Sequence, residues 1–412
     1  MNHTTTVVIG GGQAGLAMSA KLTGRSIDHV VLERGVIGNS WHNERWDSLR
    51  LLTPNWMTRL PGRTYDGPDP DGYMRAVETA AFLGDYARRI AAPVEAGVTV
   101  GRVTPVDGGF HVDTNTGTWS ARSVVDATGA CSTPRIPAIA DELPGRVQQL
   151  TPTAYRNPAQ VQPGRVLVVG ASASGVQIAD ELARSGRDVI LATGYHVRLP
   201  RTYRGMDIHW WMDTIGLLDE RWTDVEDIDR ARRVPSLQLV GSPDRRSIGL
   251  SELQRSGVEI TGRLAGITDR VLQFSGSLAN TVESAELKLH RLLDQLDRYA
   301  TAHGLDPELP ASDRPAQVHV PTPRLLMPIA DVGAVVWATG FRPHHPAMPD
   351  QVKDRRGALR HDGGVVDHPG LYALGLPFQR CRKSAFLDGV GADAGELAAH
   401  LRRHLEKLTT TV

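Results

Sequence analysis

Cysteine is nearly missing from this chain of 412 residues: Cys131 and Cys381 are its two thiols, far apart and each without a neighbour. That excludes a Cys-x-x-Cys redox pair and a thiolate zinc site, and it fits a reduced, cytoplasmic compartment. Lysine is scarce too. Five of the 46 basic residues are Lys and the rest are Arg, a bias spread along the whole chain that reads as coding preference rather than anion recognition. Neither sign of charge dominates, because Lys plus Arg and Asp plus Glu both number 46. A neutral total lacks the electrostatic footprint of a nucleic-acid binder, so no nucleic-acid partner is expected. No apolar run approaches the ~20 residues of a membrane-spanning helix, so no integral membrane contact is expected. The start, Met1 to Gly12, shows no basic segment followed by a long apolar stretch and therefore no export signal. His344 and His345 are adjacent, but they fall in what reads as a turn and point apart, so no metal site is expected.

What the chain has in quantity is glycine, 42 residues, and their positions carry the argument. Thr5 to Ile9 is a β-branched run, followed at once by Gly10-Gly11-Gly12-Gln13-Ala14-Gly15 and an Ala- and Leu-rich stretch from Leu16 to Leu22. That is strand, tight turn, helix. Gly10 allows the turn, Gly12 lets backbone approach a pyrophosphate, and Gly15 lets helix and strand pack closely. The helix N-terminus then stabilises the phosphates without a basic side chain. A second run, His29 to Leu32, ends at Glu33, where a carboxylate accepts hydrogen bonds from ribose hydroxyls.

The device recurs in mid-chain: Arg165 to Val169 as strand, Gly170-Ala171-Ser172-Ala173-Ser174-Gly175 as loop, Val176 to Arg184 as helix. Ser172 replaces the middle Gly, so the approach of phosphate is less intimate. The next strand, Asp188 to Thr193, ends in Thr193-Gly194 with no carboxylate, and Arg198 and Arg201 follow, which leans toward NADPH over NADH. Two such units imply two nucleotides. The expected fold class is α/β with two Rossmann-like dinucleotide-binding domains, the nicotinamide domain inserted into the FAD domain. The expected boundaries are 1–160 and 331–412 for the FAD-binding domain and 161–330 for the NADPH-binding domain, with a helical insertion at about 203–320. A matched pair supports the insertion. Val124-Val125-Asp126-Ala127-Thr128-Gly129 and Val335-Val336-Trp337-Ala338-Thr339-Gly340 are both hydrophobic strands ending in Ala-Thr-Gly, and they read as the points where the chain crosses between domains.

With these residues in place the chain resembles the flavin-containing monooxygenases built on two dinucleotide-binding domains, and among them a bacterial branch labelled as flavoproteins of cation transport. The resemblance runs over nearly the full length. It includes Gly38-Asn39-Ser40-Trp41, the segment Arg45 to Pro54, Tyr155-Arg156-Asn157-Pro158, Leu199-Pro200-Arg201, Trp337 to Pro343 and Gly370 to Gly375. It implies FAD and NADPH as cofactors. Contacts to them are implied for Gln13, Ala14, Arg34, Ser40, Trp41, Arg50, Leu51 and Thr53, for Ala127-Thr128-Gly129 and Ala338-Thr339-Gly340, and for Gly375-Leu376-Pro377. Asn55, Arg50 and Trp41 are the catalytic candidates: Asn55 to steady oxygenated flavin, Arg50 to meet the charge of reduced flavin, Trp41 as a wall beside Trp46 and Leu49 to Leu52. The chain also departs from the family. Thr151 stands where the family fingerprint has His, and Leu376-Pro377 follow Gly375 where many flavoproteins of this architecture place an Asp.

The implied reaction is hydride transfer from NADPH to FAD, then oxygenation of a small organic substrate by O2 through a C4a-(hydro)peroxyflavin kept dry by an apolar lid. Two alternatives stay open: an NAD(P)H oxidase or reductase without oxygen insertion, favoured by Thr151, and a nucleotide-sensing accessory of a transporter. A homodimer is left open as well. In the 203–320 stretch, Leu287, Leu289, Leu292, Leu293 and Leu296 stand at helical spacing and read as core. Trp210 and Trp211 are expected at the active-site mouth, a partner subunit or a membrane surface. The helix through Leu397 to Leu408 is expected to aim its N-terminus at the flavin.

Overall fold

The β-branched residues Thr4 to Ile9 make strand β1 (Asn2–Ile9), whose last four residues are buried. Helix α1 (Gln13–Thr23) follows and buries Ala14, Leu16, Ala17, Met18 and Leu22 against the sheet. Strand β2 (His29–Glu33) lies parallel to β1 on one side and β3 (Gly117–Asp126) parallel on the other, with Val7 facing both Val30 and Val124. The computed structural model describes residues 1–410. In it this sheet runs Val94–Ala96, β2, β1, β3, then Leu371–Ala373, so the end of the chain completes the sheet that its start began. The hairpin Val100–Val106 with Gly109–Thr114 continues antiparallel from β3.

A second sheet repeats the plan. Strand β4 (Arg165–Val169), helix α2 (Ala173–Arg184) and β5 (Val189–Thr193) copy β1, α1 and β2. The order is Glu259–Gly262, β5, β4, Val332–Trp337, Gln148–Leu150, all parallel. Two expectations change here. Gln148–Leu150 and Val332–Trp337 belong to this sheet, so the crossings fall directly after the two Ala-Thr-Gly tripeptides rather than at 160/161 and 330/331. The physical reason is that each tripeptide ends a central strand, and the chain can only leave a sheet where a strand stops. Nor is the 203–320 stretch simply helical: it supplies a strand to the second sheet and, with Leu326–Pro328, an antiparallel three-stranded ribbon. The two crossings pair with each other. Pro134 bridges Phe341, Arg135 N–H donates to the Gly340 carbonyl at 2.9 Å, and Arg342 N–H donates to the Thr133 carbonyl at 3.0 Å.

The long helix of the insertion, α3 (Leu278–Ala302), buries Val282, Ala285, Leu289, Leu293, Leu296 and Ala300. Leu287 points away and is 53% exposed, because it lies on the face of the helix opposite that stripe. The seam between lobes is close. Trp46, Leu49 and Ala76 from the first part of the chain pack into the core of the second lobe with Val176 and Val336. Gly241 of the second lobe sits so tightly against the first that a Cβ there would lie 2.2 Å from the Leu51 carbonyl and 2.9 Å from the Arg50 and Tyr73 Cβ atoms. Gly241→Ala is therefore expected to lower stability by about 1–3 kcal/mol through overpacking, read as a lower urea midpoint. An unchanged midpoint would mean that the seam has slack.

Candidate functional site

Both glycine turns are shaped by the same contact. Gly10 has φ +111°, and a Cβ on it would lie 2.6 Å from the carbonyl oxygen of Ala127; a Cβ on Gly15 would lie 1.8 Å from the Gly10 oxygen. In the second lobe Gly170 has φ +108° and a Cβ on it would lie 2.3 Å from the Ala338 oxygen, while a Cβ on Gly175 would lie 1.8 Å from the Gly170 oxygen. The Ala of each Ala-Thr-Gly thus seats its carbonyl in the neighbouring turn. Around Gly12 there is open space, with nothing within 4 Å of a Cβ. Neither α1 nor α2 has a side-chain cap or an acidic residue in its first turn, although Ser172 stands at the N-cap of α2. Two helix N-termini at the C-terminal edges of parallel sheets therefore present unpaired N–H groups and partial positive charge to open space, which suits phosphate. This fits a dinucleotide on each turn.

Other expected contacts separate into those brought to the first turn and those that are not. Gly38 N–H donates to the Gly11 carbonyl at 3.1 Å, which lays the short helix Asn39–Asn43, with Ser40 and Trp41, against that turn. Trp41 packs on the cores of both lobes. Glu33 is buried and accepts from Gly11 N–H at 2.6 Å and Gly35 N–H at 2.8 Å. Gly375 presses on the start of α1, its Cβ position 2.8 Å from the Ala14 Cβ, and Leu376-Pro377 follow it in the chain. Gln13 Nε2 donates to the Ala385 carbonyl at 3.0 Å and closes that side. Leu51 is buried, and Thr53 stands two residues on. Arg34 lies outward in an ion pair with Glu44.

Several assigned roles do not match the side chains' partners. Asn55 spends its carboxamide on scaffold, donating to the Asp69 carbonyl at 2.8 Å and accepting from Met74 N–H at 2.8 Å. Arg50 donates to the Tyr73 carbonyl at 2.7 Å. Trp46 and Leu49 are anchors in the opposite lobe rather than walls. Arg198 is buried in a pair with Glu286 and donates to the Ala316 carbonyl. Arg201 is 0% exposed: it donates to the Leu52 carbonyl at 2.8 Å, to Asp207 at 2.7 Å and to His209 Nδ1 at 2.8 Å. Both guanidiniums follow β5 in sequence, but Glu286 and Asp207 with the Ala316 and Leu52 carbonyls draw them inward, away from a 2′-phosphate. Burial lowers the His209 pKa against the pull of Asp207, with Arg201 adding to the fall, so the ring is neutral and accepts. Trp211 is fully buried and donates to the Tyr203 carbonyl at 2.8 Å, which removes it from any mouth or surface.

Three features were missed in the sequence. Asp126, at the end of β3, accepts from Thr128 N–H at 3.0 Å and Oγ1 at 2.7 Å, and pairs with His345 Nδ1 at 2.6 Å. Burial raises its pKa, but the His345 bond and charge and the Thr128 donors outweigh that and hold it below the usual range. The signal was a carboxylate ending an otherwise apolar strand. Second, a strap around 217–233 crosses from the second lobe: Trp222 N–H donates to the Arg380 carbonyl at 3.0 Å, Trp222 Nε1 to Asp362 at 2.8 Å, and Lys383 N–H to the Leu218 carbonyl at 3.2 Å. No motif marks it. Third, the final helix, α4 (Val390–Thr410), carries buried Asp393 in its first turn.

Comparison with known proteins agrees with this geometry. The family model for pyridine nucleotide-disulphide oxidoreductases matches residues 7–205. The "Uncharacterized oxidoreductase CzcO-like" of Geobacillus kaustophilus is 33% identical over 98% of this chain and 100% of its own length. The indole-3-pyruvate monooxygenase YUCCA6 of Arabidopsis thaliana is 25% identical over 97% of this chain and 90% of its own. Among solved structures, a flavin-containing monooxygenase from Stenotrophomonas maltophilia aligns over 98% of this chain and 100% of its own with TM-score 0.69 at 21% identity, a likeness of fold.

Asp393 generates a pH-dependent expectation. Burial raises its carboxyl to about 6, against the lowering pull of Ser384 and Arg380. A raised acid keeps its proton in the folded chain while the unfolded chain, near ~3.9, has released it. Its stability contribution is therefore fully present below that value and lost as pH rises through the folded one, a cost of about 3 kcal/mol in all. Asp393→Asn should match the parent protein near pH 4 and exceed its unfolding free energy above pH about 6. Equal stability at both pH values would show that this carboxyl is not strained.

Proposed function

Because the chain belongs to the flavin-containing monooxygenase-like oxidoreductases of the pyridine nucleotide-disulphide oxidoreductase family, beside the CzcO-like bacterial proteins, we propose that it is an FAD- and NADPH-dependent monooxygenase of a small organic substrate. It is a flavin-dependent oxidoreductase. The observation that carries the proposal is the duplicated turn, an alanine carbonyl seated on glycine beside an uncapped helix, which offers two pyrophosphate sites on one chain.

In the first lobe, Gly10 to Gly15 and the N–H groups of α1 would hold the pyrophosphate of FAD, with Glu33 accepting from the ribose hydroxyls. Gly375 to Pro377, Ser40, Trp41, Leu51 and Thr53 would line the rest. In the second, Gly170, Ser172, Ser174 and Gly175 with the start of α2 would hold NADPH. FAD, when bound, would supply the two-electron redox chemistry between the nicotinamide and dioxygen. The chain's own work is positioning and exclusion. Trp41, packed on both cores, bars water where the lobes meet, and Arg201, fixing the Leu52 carbonyl, holds the Leu51 to Asn55 segment in place.

A second reading is favoured by Thr151. Its hydroxyl pairs with that of Thr153 at 3.0 Å and so is bound into its own turn, where the family's His would sit. The absence of that His favours an NAD(P)H oxidase or reductase without oxygen insertion. Measuring peroxide against NADPH consumed, with and without candidate substrates, decides between them. Low peroxide with a substrate supports the oxygenase, and stoichiometric peroxide under all conditions overturns it. The nicotinamide assignment has its own test in Ser172→Asp. A carboxylate at this N-cap would take the free N–H groups and repel phosphate while stabilising the helix. We expect the KM for NADPH to rise at least about tenfold with FAD content unchanged and the thermal midpoint not lowered. An unaltered KM would place the nucleotide elsewhere.

A further inference from the structure

Glu33 and Thr193 are the same position in the two lobes. The turn glycine N–H bonds the carbonyl of the residue before each, Gly10 to Leu32 at 2.8 Å and Gly170 to Ala192 at 2.9 Å. In a dinucleotide fold the residue ending this strand faces the adenosine ribose, and a carboxylate there repels a 2′-phosphate. The first lobe has that carboxylate and the second has a threonine. Just past Thr193 the backbone opens, since a Cβ on Gly194 would meet nothing within 4 Å. Tyr195, 49% exposed, comes next. Over it, from α3, lies Lys288, its Nζ 4.0 Å from the ring centroid and donating to the Tyr195 hydroxyl at 2.6 Å. Lys288 is exposed and has no ion-pair partner among the described residues. The nearby carboxylate of Glu286 is already neutralised by Arg198.

We infer that Lys288, held in place by Tyr195, reads the 2′-phosphate of the nicotinamide nucleotide. The assignment rests on the reading of the second turn given above and deepens it. It replaces Arg198 and Arg201, whose buried positions and carboxylate partners leave them no reach to a phosphate. The chain then sorts its two dinucleotides by charge at one equivalent place: an anion at the end of β2 admits an unphosphorylated ribose, while a neutral strand end beside an ammonium admits a phosphorylated one. A Lys ammonium with two N–H groups to spare suits a phosphate that arrives from solvent.

The test uses the FAD-loaded protein and two fragments, 2′,5′-ADP and ADP, titrated by calorimetry. The parent protein should bind 2′,5′-ADP more tightly. Lys288→Ala should weaken 2′,5′-ADP on the order of tenfold and leave ADP unchanged. Lys288→Glu should weaken it further, and Lys288→Arg should restore the preference. Equal binding of both fragments by the parent protein, or a preference that survives Lys288→Ala, overturns this assignment while leaving the nucleotide site standing. Failure of both fragments to bind while FAD remains would overturn the nicotinamide reading itself, and this assignment with it.

Discussion

The structure depends on one contact made twice: a backbone carbonyl of an outgoing chain lodged where a glycine turn leaves no room for a Cβ. Ala127 meets Gly10 and Ala338 meets Gly170, and in each lobe the second glycine packs against the first one's oxygen. The contact forces the strand bearing the alanine to lie beside the strand bearing the turn, which explains the pairings of β3 with β1 and of Val332–Trp337 with β4. It also explains where the chain can cross between lobes, since the residue after that alanine is already beyond the sheet edge. The turn leaves its helix N-terminus uncapped and facing out, so the constraint that shapes the fold also prepares the anion site.

The lobes are joined by more than the two crossings. Tyr73 and the Leu52 carbonyl from one side meet Arg201, Asp207 and His209 from the other, with Tyr73 Oη donating to Asp207 at 2.6 Å. Removing a guanidinium from water costs several kcal/mol, and Arg201 keeps an Nε without a partner, so the network is a poor source of net stability. Its consequence is geometric. Apolar surface holds the lobes together without direction, whereas these bonds can be satisfied together in one relative orientation only. Asp126 and His345 act likewise on the crossings, tying the outgoing chain to the returning one where each leaves or nears the first sheet.

The parts of this arrangement that sequence shows are those made by backbone. A glycine needed for positive φ and an alanine needed for close approach have few substitutes, so Gly10, Gly15, Gly170, Gly175 and the paired Ala-Thr-Gly were legible. Long side chains were not. Arg198 and Arg201 stand at the right distance after β5, but an arginine's position in sequence does not say which way its stem turns, and here both turn toward carboxylates, Glu286 and Asp207. Trp46 and Leu49 look like a wall beside the first turn and instead reach across to the other core. Asp126 with His345 joins residues from distant parts of the chain, and although a carboxylate ending an apolar strand marks Asp126, nothing local marks its partner. The strap is the extreme case, because ordinary residues acquire their role only from what lies opposite.

A chain with two copies of one turn has to keep two cofactors from exchanging places, and the turn cannot do this. FAD and a nicotinamide nucleotide share an adenosine diphosphate half, and backbone N–H groups at a helix start bind either pyrophosphate alike. Discrimination must come from what surrounds each turn. Around the first turn the surroundings come from two separate stretches: the segment after β2, whose Gly38 N–H reaches the Gly11 carbonyl, and the C-terminal return, whose Gly375 is pressed on Ala14. Among the described residues the second lobe has no counterpart of that return, since Val332–Trp337 leads back to the first lobe. The insertion of one unit into the other therefore supplies asymmetry as well as connection. It gives the first turn a neighbour, Gly375 against Ala14, so two similar turns end in different surroundings.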